Sequence, residues 1–224
     1  MKRHHIPLLL LVLCVLGLAV SSPSASGAPR DIAQPAGTET FIQIFKSEEV
    51  LEVWQKVPGD DRFELVKSHP ICRYSGELGP KLKEGDRQAP EGFYSVGASA
   101  LNPNSSYHLS FNLGFPNAYD RAHGRTGSYL MVHGACVSIG CYAMTDDGIE
   151  DIYGAVEASL RDGQSDVAVH IYPFRMTPEA LELRAEHKWI DFWQELKPAY
   201  DHFMETGLPA QIRVEGQSYR VTPA

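Results

Sequence analysis

The stretch Val132-His133-Gly134-Ala135-Cys136-Val137-Ser138-Ile139-Gly140-Cys141 sets an imidazole and a thiol eight positions apart. A free cysteine has a pKa of about 8.5, so near neutral pH its thiol needs a base before it becomes a nucleophile. Histidine is the side chain suited to that task. Attack on a carbonyl also needs backbone N–H donors for the oxyanion that develops. Gly134 permits an abrupt turn after His133, and Gly140 permits the backbone beside Cys141 to approach a substrate closely. Two other chemistries fit the same residues. A buried thiol beside a hydrogen-bonded histidine is one. A zinc site built from His123, His133, Cys136 and Cys141 is the other, although these spacings match no well-known structural zinc motif.

The flanking sequence supplies elements able to position such a pair. Phe41-Ile-Gln-Ile-Phe alternates as a half-buried strand does. Leu51–Val57 and Phe63–Val66 flank Pro58-Gly-Asp-Asp, the pattern of a hairpin. Short strands are expected at Ile71–Tyr74, Gly92–Val96 and Tyr107–Leu113, and a buried strand at Tyr129–His133. Thr145-Asp-Asp opens a helix whose apolar face is Ile149, Ile152, Val156 and Leu160, and its N-terminal dipole lies just after Cys141. Val167–Tyr172 reads as another strand. Thr177-Pro-Glu-Ala reads as a capped helix start. Trp189, Phe192, Trp193 and Leu196 form an apolar stripe that Pro198 is expected to end or kink. Ile212–Val221 closes the chain as a hairpin turning at Gly216.

The 224 residues suit one generous domain or a core with an extension. Their 43% hydrophobic and 21% charged content is that of a globular chain. Met1-Lys-Arg-His-His, the apolar run Ile6–Val20 and the small residues Ser21–Ala28 make an export signal over residues 1–27. A linker at 28–39 follows. The mature chain is then expected to be soluble after signal removal and to work in the periplasm or elsewhere in the cell envelope. Loss of Lys2 and Arg3 with the signal takes the formal charge from −8 to −10. A surface that acidic excludes nucleic acid as a partner, because phosphate binding needs clustered cations.

His133-Gly134 followed by Ser138-x-Gly140-Cys141 resembles the signature of the L,D-transpeptidases with a YkuD-type catalytic domain. Gly85-Asp-Arg-Gln-Ala-Pro90-Glu-Gly92-Phe93-Tyr94 is similar to that family's upstream Thr-Pro-x-Gly-x-Phe loop. Leu113–Gly127, Ile71–Lys81 and Tyr172–Thr177 resemble its YafK-like branch, and the likeness spans about Phe41 to Gly207. The resemblance implies an α+β fold: a β-rich catalytic domain over 40–175, a mixed β-sheet sandwich with short helices. A C-terminal helical extension and hairpin over 176–224 follow it. It implies Cys141 as nucleophile, His133 as general base, Gly140 and the Cys141 backbone at the oxyanion, and Ser138 and Gly134 shaping the loop. It implies no cofactor and no metal. The implied substrate is a peptidoglycan stem peptide attacked at the L-centre carbonyl of diaminopimelate. The acyl-enzyme then meets an amine, or water. The branch points to hydrolysis of the link to a murein-bound outer-membrane lipoprotein, ahead of transpeptidation.

Three departures stand out. Ile139 replaces the family's His before Gly-Cys, Ala143 replaces its Arg two residues after the Cys, and the His-to-Cys interval is short. Arg121, Arg125 and Arg175 are candidates for the missing guanidinium, with Tyr119 also a candidate for substrate binding. Each arginine also fits a structural ion pair. Ile139 and Ala143 are the best support for an alternative, a catalytically weak wall-binding or scaffolding protein that keeps the fold, and the retained His133 and Cys141 count against it. Among the four cysteines, Cys14 leaves with the signal and Cys141 must stay reduced. Cys72 and Cys136 are then one candidate disulfide, which a Cα separation beyond about 7 Å excludes. A Cys136–Cys141 bond would instead inactivate the enzyme.

Overall fold

The computed structural model describes residues 38–223. The expected export signal and most of the linker lie outside them. Among the described residues no helix is long and apolar enough to cross a membrane.

Five strands form the main sheet: β1 (Thr40–Phe45), β2 (Val50–Lys56), β3 (Phe63–Pro70), β4 (Gly92–Val96) and β9 (Val167–Tyr172), in the order β3-β2-β1-β9-β4. β1 pairs antiparallel with β2 and parallel with β9, and β9 pairs antiparallel with β4. Every residue of β1 is buried. The sequence alternation suggested a half-buried strand. Instead Ile42 and Ile44 enter one core, Phe45 enters a second, and Gln43 lies buried between them in sequence.

A smaller sheet carries the candidate site. It orders β5 (Leu101–Ser105), β6 (His108–Asn112), β7 (Met131–His133) and β8 (Tyr142–Ala143) as β5-β6-β7-β8. Helix α2 (Asp146–Arg161) shares one core with both sheets: Ile149, Ile152 and Val156 join Ile42, Ile44 and Val169 of the main sheet and Phe111 and Val132 of the small one. Thr145 caps α2 by accepting the Gly148 N–H. On the main sheet's other face lie α4 (Ile190–Thr206) and the hairpin β10 (Gln211–Glu215) and β11 (Ser218–Thr222). Before them come α1 (Ala118–Ala122) and α3 (Pro178–Glu182), the latter capped by Thr177 as its sequence predicts.

Three local expectations need correction. α4 runs through Pro198 without ending. Pro198 lies on the exposed face, and the buried face Phe192, Trp193, Leu196, Ala199, Tyr200 and Phe203 continues across it. Packing of that face outweighs the roughly 3 kcal/mol cost of an interior proline. The run Tyr129–His133 gives a strand only from Met131, because Tyr129 is 77% exposed and adopts a left-handed φ of 54°. Ile71–Tyr74 forms a single bridge, Arg73 to Ala143, in place of a strand.

Candidate active site

His133 closes β7, with β6 on one side and β8 on the other. Its carbonyl accepts the Met144 N–H at 2.7 Å, and the side chain is 3% exposed. Nδ1 lies 2.6 Å from the Gly134 carbonyl oxygen. A carbonyl can only accept, so Nδ1 carries the proton and Nε2 is left with the lone pair. Burial pushes the His133 pKa below its ordinary value, against the smaller pull of the Gly134 carbonyl. The Tyr107 ring packs over the imidazole, centroids 4.8 Å apart.

Cys141 is the free thiol among the described cysteines. Its Sγ accepts the Met131 N–H at 3.4 Å and lies 3.7 Å from the Tyr129 carbonyl, to which the thiol donates. Burial raises its pKa; the Met131 N–H and the charge of Lys81 oppose that rise. The shifts of both groups favour their uncharged forms, thiol and imidazole, over thiolate and imidazolium. Both line one pocket of about 460 Å³ on the open face of the small sheet, together with Ser138, Tyr107, Tyr129 and Met131.

The 134–141 loop is held at several points. Gly134 is required for space: a Cβ there would stand 2.7 Å from the Tyr107 carbonyl oxygen and 2.8 Å from Asp146 Oδ1. The abrupt turn expected after His133 takes its left-handed residue at Ala135, φ 60°, whose N–H donates to Asp146 Oδ1 at 2.8 Å. Gly140 has φ 144°, a conformation that favours glycine. The Ser138 hydroxyl donates to the Cys141 carbonyl at 2.7 Å and accepts the Gly140 N–H at 3.2 Å. Gly140's N–H is thus turned into its own loop and away from an oxyanion. Cys72 and Cys136 are bonded, with Cα atoms 5.4 Å apart, tying this loop to the 71–91 segment.

That segment hangs on two residues the sequence reading missed. Lys46 and Glu91 form a fully buried ion pair at 2.9 Å. Lys46 Nζ also donates to the carbonyls of Glu77, Gly79 and Ala89. Glu91 accepts from the Gly79 N–H at 2.6 Å and the Trp193 indole at 2.9 Å. Pro90, one residue away, accepts the Tyr142 hydroxyl at 2.7 Å, next in sequence to Cys141. Lys46 directly follows an apolar strand and looks in sequence like a surface cation. Glu91 stands in the loop resembling the family motif and gave the only available signal.

The substrate-binding candidates away from the loop lie elsewhere. Arg125 is buried, paired with Asp120 at 2.8 Å and packed between the Tyr119 and Phe192 rings. Tyr119 is 2% exposed and stacks on Tyr219. Both are core residues, so their assignment to substrate is corrected. Arg121 is exposed on α1, donates to the Pro116 carbonyl and lines a separate cavity. Arg175 pairs with Glu52 and lies over the Phe45 ring at 4.3 Å. None of the three arginines lines the Cys141 pocket. Ala143 is fully buried in β8 and Ile139 is 80% exposed on the pocket rim. The zinc alternative loses two ligands: Cys136 is in the disulfide and His123 bonds the Gln217 carbonyl at 2.8 Å.

A thiol and a neutral imidazole share one pocket on a β-rich α+β domain, the layout of a cysteine acyl-transfer site. The YkuD L,D-transpeptidase catalytic domain family matches residues 39–179. The chain therefore belongs to the L,D-transpeptidase family, whose members are cell-wall enzymes acting on peptidoglycan stem peptides. It is 46% identical over 217 residues to YafK of Escherichia coli K12, a candidate L,D-transpeptidase by name, covering 96% of this chain and 87% of that one. Among solved structures it is similar to the helical cell shape determining protein Pgp2 from Campylobacter jejuni (TM-score 0.49, 17% identity, 80% of this chain and 73% of that one). Another is Bd1075 from Bdellovibrio bacteriovorus (TM-score 0.42, 16% identity, 86% and 79%).

Proposed function

We propose that the chain is an exported peptidoglycan-modifying cysteine enzyme that opens the amide between diaminopimelate and a murein-bound lipoprotein. The observation that carries this reading is the Nδ1 bond from His133 to Gly134, which reserves Nε2 as a base in the pocket of Cys141. His133 Nε2 takes the thiol proton as Sγ attacks the L-centre carbonyl of diaminopimelate. The same proton goes to the leaving amine as the C–N bond breaks, and a thioester remains. Water, deprotonated by His133, then opens the thioester and restores the thiol. With the Gly140 N–H committed to Ser138, the oxyanion donor falls to the Cys141 N–H. Ala143 supports a departure from ordinary transpeptidation, since a buried alanine stands where the family signature places a guanidinium.

Purified mature protein is incubated with muropeptides, some linked to lipoprotein, and the products are followed by mass spectrometry. Release of lipoprotein without new dimers is expected. New dimeric muropeptides would establish transpeptidation in its place, and binding without product would establish a scaffold. Cys141→Ala should abolish turnover, and full activity in that variant overturns the mechanism.

A further inference from the structure

The Cys141 pocket does not end at the reacting atoms. Asn102, Tyr129 and Met131 on its wall also line a neighbouring cavity of about 500 Å³. Ser95 and Gly114 are shared between that cavity and a third of about 470 Å³, which reaches Arg121 and the β10 strand. These shared walls set the three cavities in a row, a segmented trough from the small sheet to the edge of the main one. We propose that this trough holds, as an extended strand, the polypeptide that the scissile amide carries. The proposal rests on the function proposed above and names what lies beyond the reacting bond.

The main-chain geometry at β4 favours an extended peptide. β4 is the last strand of its sheet. Its Phe93 turns its main chain outward: the N–H donates to the Tyr219 hydroxyl at 3.5 Å and the carbonyl accepts from Asn117 Nδ2 at 2.7 Å. Antiparallel ladders alternate with a period of two, so Ser95 turns its N–H and carbonyl the same way. Among the described residues no strand pairs with that edge. The outward groups of Phe93 are taken by Tyr219 and Asn117, so a chain laid in this lane meets the Ser95 N–H and carbonyl as its main-chain partners on β4, and Leu113, Ile212 and Val214 offer apolar contact to its side chains.

Charge sets the direction. The exposed guanidinium of Arg121 stands at the far end, while Asp166 lines the middle cavity. An acidic side chain on the bound polypeptide is therefore favoured beside Arg121 and disfavoured beside Asp166. One Arg121 nitrogen donates to the Pro116 carbonyl, and the guanidinium has further N–H groups for a carboxylate.

The test compares two substrates carrying the same muropeptide. In one the diaminopimelate amide goes to free lysine. In the other it goes to the terminal lysine of an acidic peptide of about ten residues, roughly 33 Å when extended. The wild-type chain should favour the long substrate by about tenfold in kcat/KM, the effect of one charge-assisted contact. Arg121→Glu and Ser95→Pro should each bring the ratio of long to short towards one. A proline is tolerated on an edge strand whose N–H faces outward. A wild-type ratio near one, or a preference that survives both substitutions, overturns the proposal. A second arm follows the fluorescence anisotropy of the labelled peptide, without muropeptide, on Cys141→Ser. Binding lost in Cys141→Ser/Arg121→Glu supports the trough, and no binding, or displacement by a peptide-free glycan chain, overturns it. If neither substrate is cleaved, the proposed function fails, and the anisotropy arm still decides the trough.

Discussion

At the residue scale, the resting charge state of the pair determines how the site responds to pH. Burial lowers the His133 pKa and raises that of Cys141. Deprotonated imidazole is needed to accept the thiol proton, so the acid limb of kcat/KM should lie below the ordinary histidine value of about 6.5. Iodoacetamide should label Cys141 slowly at neutral pH and faster only as the thiol ionises above its ordinary range. Full-rate alkylation at pH 6 would show a preformed thiolate and sink the neutral-pair description. Ser138 acts through the loop, holding the Gly140 N–H and the Cys141 carbonyl with one hydroxyl. Ser138→Ala loses two hydrogen bonds worth about 1 kcal/mol each, so a fall in kcat of up to about thirtyfold with less change in KM is expected. An unchanged kcat would remove Ser138 from the positioning of the thiol.

At the scale of elements, two links fix the 71–91 segment, one to the catalytic loop through Cys136 and one to Lys46 at the end of β1. The Cys72–Cys136 bond joins positions 64 residues apart, and chain entropy for a loop of that length gives about 4 kcal/mol. The double variant Cys72→Ala/Cys136→Ala should therefore unfold at clearly lower denaturant, and an unchanged midpoint would refute a structural role. Lys46→Met leaves Glu91 charged and buried, which costs about 3–5 kcal/mol, and adding Glu91→Gln should recover part of that loss. Urea unfolding of the single and double variants measures the recovery. These links also show what the sequence could convey. The meeting of His133 and Cys141 in one pocket was legible because both stand in one continuous stretch. The hairpin of β2 and β3, α2 and β9 were legible because their apolar periods are undisturbed. β5 was not, because Leu101-Asn-Pro-Asn-Ser carries no strand signal and is held by β6. Lys46 and Glu91 were not, because their meaning depends on a contact across 45 residues.

At the scale of the whole molecule, the two cores differ in how they tolerate acid. The core around α2 is built largely of aliphatic residues, whereas the one beneath α4 and the closing hairpin encloses His170. Its ring sits edge-on to Phe41 at 4.8 Å and to Phe93 at 4.6 Å, with Nδ1 3.2 Å from the Tyr172 hydroxyl. Burial pushes the His170 pKa down to about 3. The unfolded chain takes up this proton near pH 6.5 and the folded chain does not, so between those values the unfolded state binds more protons. The contribution is fully present above pH 6.5 and is lost progressively as pH falls towards 3, by at most about 1.4 kcal/mol per pH unit. His69, its pKa pushed to about 4 by burial and by Lys67, acts in the same direction at the other edge of the sheet. Denaturant midpoints at pH 7, 5 and 4 should therefore fall steadily for the wild-type chain. His170→Gln removes the titrating group and should flatten that dependence while lowering stability at pH 7 through poorer packing. A variant that loses stability at pH 7 but keeps the full acid slope would place the acid sensitivity outside this core.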